Sequence, residues 1–455
     1  MSNPPGPKGH FLLGHWPQFR DDTLKFLGEL QQLGDLTHFR FGPFPAYFTG
    51  HPDLIHQVLV TDADKMHKSR ATKLVMKQVV GEGLFTSDGV LWKRQRKLAQ
   101  PAFHSKRIGA YADVMVDFAH KMLDQWQPGQ VHDIGSEMSG VTMNIISKTL
   151  FDAELEADLL EIQEAILTAL KIIDQRFNRL IPFPDWVPTA RNRQMTQAVV
   201  TMDRIIHRFI NDRRVSGEDK GDLLSMLLAA QDDEGIGMTD KQLRDECMTL
   251  FGAGHETTAV TLMWALYALS QHPELEARLH AEVDQVLGDR PATLADLNEL
   301  KFTDMFIKET LRYYPPAWGS TRENIAPVTI NGYTLPANSI IVLGIYHMHH
   351  NPRWWDEPEM FNPERFSSEN EKKVHKYAYL PFGAGPRVCI GNMFASMEAR
   401  LILATIAQRY QLRLAPGQVV VPERVFTLRP KYGLHMIPQP RQKQPTADAA
   451  LSAAV

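Results

Sequence analysis

One of the two cysteines, Cys389, stands in the segment Pro381-Phe382-Gly383-Ala384-Gly385-Pro386-Arg387-Val388-Cys389-Ile390-Gly391. Gly383, Gly385 and Gly391 allow backbone conformations closed to other residues and let the chain approach a flat ligand closely. Behind the cysteine, Met393, Met397, Leu401 and Ala404 recur at helical spacing, which predicts a helix over 392–409. Cys389 then lies just before a helix N-terminus, whose partial positive charge favours thiolate over thiol. A thiolate on a glycine-lined surface is a competent soft metal ligand. The competing reading of a lone cysteine is a buried, inert core residue.

A second group of polar residues interrupts an apolar helix. Thr239 to Gln242 has the Thr-x-x-Gln form of a capping box, and a helix from there runs to His272, where Pro273 ends it. At ~1.5 Å per residue it spans roughly 50 Å, the width of a whole domain. Leu250, Gly254, Thr257 and Thr261 share one face, with Gly254 leaving room beside the backbone. Glu256, Thr257 and Thr258 put polar groups mid-helix, where burial is costly unless they bond something. A helical threonine can also bond the preceding turn, and spacing alone leaves that open.

Three further pairings are visible. Glu309 and Arg312 lie three apart on a short helix over 303–312, where an exposed pair would be worth little. Trp92 and Arg96 are four apart on another. Arg322 precedes the hairpin residue Gly332 by ten positions. His347-Met348-His349-His350 has no cysteine or acidic partner at ligand spacing and is read as structural.

The elements that must position these residues are mostly helical from Pro52 to Pro315. Short strands are predicted at 36–41 and 46–49, then at 328–330 and 333–335 around Asn331-Gly332, and at 340–343. The coil-like stretch from Asn351 to Gly391 is long enough to imply function. The polar tail over 439–455 is expected to be disordered. No linker splits the chain, so one large domain over 1–438 is expected.

Of 455 residues, 44% are apolar, enough for a sizeable core, and the net charge of -4 gives no electrostatic case for nucleic acid. Two cysteines make no disulfide framework and no C-x-x-C zinc pair, which fits a reducing cytoplasm. No apolar run reaches the ~18 residues of a membrane span, and residues 1–9 lack the apolar core of a signal peptide. A soluble, cytoplasmic protein without a transmembrane anchor is expected.

The cysteine segment matches the haem loop of the cytochrome P-450 family, Phe-x-x-Gly-x-Arg-x-Cys-x-Gly, at Phe382, Gly385, Arg387, Cys389 and Gly391. Ala253-Gly254-His255-Glu256-Thr257-Thr258 resembles its oxygen-activation motif, with His255 at the variable position and not read as a metal ligand. Glu309, Arg312 and Arg365 resemble its Glu-x-x-Arg motif and meander arginine, and Trp92 with Arg96 its Trp-x-x-x-Arg motif. The likeness runs from Pro4 to Pro438. It implies a mainly α fold with small β-sheets and haem b, with Cys389 as the thiolate ligand. By the same resemblance Phe382 packs on the proximal side, while Arg387, Trp92, Arg96 and Arg322 hold propionates. Thr257 bonds the dioxygen species, Glu256 relays protons, and the triad Glu309, Arg312 and Arg365 is structural.

The implied reaction inserts one atom of O2 into a lipophilic substrate, with a fatty acid or terpenoid both suiting the walls. Those walls are expected at 66–85, 167–187, 250–258, 316–321 and 425–428, with Lys68, Arg70, Lys73 and Lys77 as scattered cations. Electrons are expected from a separate ferredoxin or flavodoxin-type partner with its reductase, docking on a basic patch of Lys93, Arg94 and Lys97. The alternatives are a haem-thiolate peroxygenase or isomerase, against which Glu256 and Thr257 argue, and a non-catalytic haem sensor.

Overall fold

The computed structural model describes residues 3–153, 158–179 and 184–441. Twelve strands form small sheets among these residues: β1 (Thr37–Phe41), β2 (Phe44–Thr49), β3 (Met66–His67), β4 (His132–Asp133), β5 (Ser320–Asn324), β6 (Val328–Ile330), β7 (Tyr333–Leu335), β8 (Ile340–Leu343), β9 (Tyr410–Leu414), β10 (Pro422–Arg424), β11 (Leu428–Pro430) and β12 (His435–Pro440). The largest sheet has the order β1-β2-β8-β5-β3. It joins the two ends of the chain by a parallel β2–β8 pairing of Ala46–Thr49 with Ile340–Leu343. Asn331 and Gly332 both take positive φ, 49° and 78°, as a primed turn requires, so β6 and β7 pair in the register read from sequence.

The rest is helical, and the central helix, Asp240–Gln271, organises it. Its start is the expected capping box: Gln242 N–H donates to Thr239 Oγ1 at 3.3 Å and Thr239 N–H to Gln242 Oε1 at 3.0 Å. The helix packs along Ile134–Phe151, and Gly254 faces that neighbour closely. A Cβ on Gly254 would lie 2.5 Å from Ile146 Cδ1. The room expected beside this glycine is therefore filled by a neighbouring helix. At the other end, fully buried Trp264 stacks on Tyr314 at 4.0 Å and donates its indole N–H to Leu428 C=O at 2.8 Å, which satisfies the polar end of a large ring.

Against the central helix lies the helix behind the cysteine, Asn392–Arg409, with the predicted limits. Met397, Leu401 and Ala404 are buried as the period requires, while Met393 stays half exposed in the first turn. β12 runs to Pro440, and Arg441 forms an ion pair with Asp284 at 2.6 Å. The described strand thus continues past residue 438; the tail from 442, expected to be disordered, lies outside the described residues. No helix among the described residues is long and apolar enough to cross a membrane.

Candidate active site

Between the central helix and the cysteine loop lies a cavity of about 920 Å³. Cys389, Phe382, Gly383 and Gly391 line one side; Leu250, Gly254, Thr257 and Thr261 line the other, the shared face expected from their spacing. Each of the five expected wall segments contributes residues to the lining.

The cysteine loop is held by its own backbone. Cys389 N–H donates to Phe382 C=O at 3.0 Å, and Gly383 N–H to Leu380 C=O at 3.0 Å. Gly383 and Gly385 take φ of 71° and 69°, in the region that favours glycine. They serve different ends. Nothing lies within 4 Å of a Cβ built on Gly383, so that face is open to a flat group, whereas one on Gly385 would strike Leu59 C=O at 2.1 Å. Gly385 is there to pack the loop. Desolvation by the surrounding loop pushes the Cys389 thiol up, against the Gly391 N–H and the Arg96 charge, which favour the anion. Two residues separate Cys389 from the first helical residue, and desolvation disfavours the anion there. A coordinated metal would remove the proton outright.

Behind the loop, Arg312 grips Glu309 with two bonds of 2.7 and 2.8 Å, both side chains fully buried. Arg365 approaches Glu309 Oε1 at 3.5 Å, and Asn362 N–H donates to the same oxygen at 2.7 Å. Sequence reasoning missed what carries this grip forward. Arg312 Nη1 donates to His349 C=O at 2.8 Å. The His349 ring bridges Arg312 C=O, 3.1 Å from Nδ1, and Leu380 N–H, which donates to Nε2 at 3.1 Å. Burial holds His349 neutral, which this donor and acceptor pair requires. No His/Cys/Asp/Glu metal cluster occurs among the described residues.

Along the cavity edge the structure gathers cations. Desolvation lowers the pKa of Lys68, Arg322 and Arg387, Arg322 to about 10; the charge of Arg387 adds to the lowering at Arg322, and both arginines add to it at Lys68. Asp88 is the carboxylate among them; it pairs with Arg387 and with Lys73, the latter at 2.6 Å. Arg387 lies 4.4 Å over the Trp92 ring, and its buried Nη1 has no partner. Arg96 stands apart, donating to Val388 C=O at 3.0 Å beside Cys389. Lys68, expected in the substrate wall, thus belongs to this cluster. Its signal was legible only as a cation near an apolar run.

The central helix supplies the opposite wall. Thr257 Oγ1 donates to Ala253 C=O at 2.9 Å, so the back-bonded reading left open by spacing is the arrangement present, while the residue still lines the cavity. Glu256 also lines it and accepts from Thr427 Oγ1 at 3.0 Å. His255 points away, buried, with Nδ1 3.2 Å from Phe251 C=O.

On the outer side of the Trp92 helix, Gly89–Ala99, the expected basic patch is largely neutralised. Arg94 pairs with Asp232 at 2.5 Å and Lys97 with Asp233 at 2.6 Å. Periodicity cannot reveal an acidic loop brought from 136 residues away.

An exposed cysteine on the cavity wall, an open glycine face and an excess of cations over carboxylates at the cavity edge fit one group: an iron porphyrin with two carboxylates. Residues 4–441 match the Cytochrome P-450 family. Cyclooctatin synthase of Streptomyces melanosporofaciens is 38% identical over 96% of this chain and 95% of its own. Pentalenene oxygenase of Streptomyces avermitilis is 33% identical over 92% of this chain and 93% of its own. The crystal structure of the cytochrome P-450DA heme domain superposes with a TM-score of 0.89 at 27% identity, covering 97% of this chain and 98% of that one. The chain belongs to the cytochrome P-450 family. It is a haem-thiolate monooxygenase with haem b as cofactor, and it uses O2 and a redox partner.

Proposed function

We propose that this monooxygenase hydroxylates a neutral, cyclic terpenoid. The observation that carries the reading is the state of the cavity's cations. Away from the Lys68–Arg322–Arg387 cluster, the lining cations have protein partners. Arg70 pairs with Glu323 at 2.6 Å, Arg176 with Asp185 at 2.9 Å, and Arg424 bonds Thr23 and Asn178, while Arg179 is also engaged. A fatty-acid carboxylate entering this apolar space would be desolvated without a free counter-charge, at a cost of several kcal/mol. A neutral lipophile meets no such cost. A relative named Cyclooctat-9-en-7-ol 5-monooxygenase, 38% identical over 89% of this chain, and the pentalenene oxygenase support a terpenoid over a fatty acid.

Cys389 would ligate the iron, and Arg387, Arg322 and Lys68 would neutralise the propionates, with Trp92 beneath Arg387. Arg96 fixes Val388, and so the loop. When bound, the haem would supply the two-electron activation of O2, which also consumes two protons. Thr257 would offer its hydroxyl from the cavity wall, and Glu256 would carry protons into the cavity. Phe382 would pack against the group on the Cys389 side. Glu309, Arg312 and Arg365 hold the loop without touching the reaction. A ferredoxin or flavodoxin-type protein with its reductase supplies the electrons.

The test is a spectral titration of the ferric protein with pentalenene and with lauric acid, followed by product analysis with a surrogate ferredoxin pair. The reading expects the terpene to bind at least tenfold tighter and to yield an oxygenated product. Tighter binding and turnover of the fatty acid would overturn it.

A further inference from the structure

The hairpin β10–β11 reaches the cavity with three residues that do different work. Arg424 pairs with Leu428 across it, leaving Val425, Phe426 and Thr427 as the tip, closed by Val425 N–H donating to Thr427 C=O at 3.1 Å. The tip is fastened to the scaffold on both sides. Trp318 Nε1 donates to Val425 C=O at 3.1 Å, and Leu428 N–H donates to Pro316 C=O at 3.1 Å. Arg424 ties the base to two distant elements, Thr23 at 2.6 Å and Asn178 at 3.0 Å. At the tip, Phe426 presents its ring to Phe85 at 6.2 Å, and both rings line the cavity. The next residue, Thr427, is buried and donates its hydroxyl to Glu256 Oε1 at 3.0 Å.

Valine would fill the same volume as Thr427, so packing alone does not call for the hydroxyl. A hydrogen bond to a carboxylate is roughly twice as strong as one between neutral groups. It also fixes direction: the Glu256 side chain is held by one oxygen toward the hairpin.

We infer that Thr427 is a positioning residue for proton delivery, fixing the Glu256 carboxylate. The inference rests on the reading of Glu256 as the proton relay. The tip that carries Thr427 is held on both sides, so the hydroxyl is presented to Glu256 in a fixed place.

The test uses the holoenzyme and the variants Thr427→Val, Thr427→Ser and Glu256→Gln. Infrared difference spectra over a pH series, without substrate, identify the Glu256 carboxyl band as the one lost in Glu256→Gln. A donated hydrogen bond perturbs the carboxylate stretch, so Thr427→Val should shift the frequency of that band, and Thr427→Ser should restore it. With pentalenene as probe, Thr427→Val should keep the spectral binding constant, lower product formed per NAD(P)H several-fold, and add nothing in the Glu256→Gln background. An unmoved band in Thr427→Val, or equal losses with and without Glu256, would overturn the inference. If Glu256→Gln itself leaves coupling unchanged, the relay reading fails, whatever Thr427 does to the band.

Discussion

Glu398 is a carboxyl buried without a hydrogen-bonded partner. It sits on the helix behind Cys389, fully buried, with no donor bonded to either oxygen; the Thr258 hydroxyl faces it without closing a hydrogen bond. Burial pushes its pKa up to about 8, and Glu246 on the central helix is also raised to about 8 by burial. Both are neutral acids in the folded protein at pH 7. The consequence for stability has a definite sign. Their pKa is raised on folding, so their stabilising contribution is complete below the unfolded value of 4.5 and is lost as pH rises towards 8. Over that window Glu398→Gln should gain on the wild type, by a few kcal/mol at the upper end. Thermal melts from pH 5 to pH 8 check this; a difference independent of pH would contradict it. Neither acid was visible in the sequence as special, because helical period marks a position as inward without saying what it will meet.

At the scale of elements, the chain spells out what is local and hides what is assembled. The capping box at Thr239, the turn at Asn331-Gly332 and the helix limits 392–409 follow from neighbouring residues, and these elements form where spacing puts them. The cysteine loop, the Glu309–Arg312 pair and the Glu256–Thr257 motif were legible for the same reason: each is a short run. His349 was not, since its work is to join Arg312 of the helix Lys301–Tyr313, 37 residues before it, to Leu380, 31 residues after it. Lys68 and Thr427 escaped likewise, because their partners come from other segments. Two substitutions separate the layers of this support. Glu309→Ala leaves Arg312 buried without its carboxylate and should cost ~3–5 kcal/mol, giving poorly expressed protein lacking haem. His349→Leu leaves the Leu380 N–H unpaired, costing ~1–3 kcal/mol, and should yield folded protein that releases haem faster. Denaturation midpoints and haem transfer to apomyoglobin measure the two. Equal effects of both, or none, would mean that the bridge through His349 is idle.

For the whole molecule, charge is distributed by pairing across distance, so composition says little about it. A net charge of -4 coexists with a cluster of three cations at the cavity edge, Arg322 buried and Lys68 and Arg387 partly so. On the surface, Asp232, Asp233 and Glu234 act on Lys97 and leave Lys93 as the exposed cation without an ion pair on that helix face. First-electron transfer from an acidic ferredoxin should therefore depend weakly on ionic strength. Asp233→Asn frees Lys97, so the rate at low salt should rise and its salt dependence steepen, as expected when attraction acts within a Debye length of ~8 Å. If wild type and variant trace the same curve, the partner docks elsewhere.

The account stands on Cys389 as the ligand that makes this cavity a haem-thiolate site, and one spectrum tests that most directly. The reduced carbon-monoxide adduct of the wild type should absorb far to the red of a histidine-ligated haem. In Cys389→His the band should fall back to the histidine position, with the fold and cation cluster still retaining haem. The same red-shifted band in the variant would contradict the account.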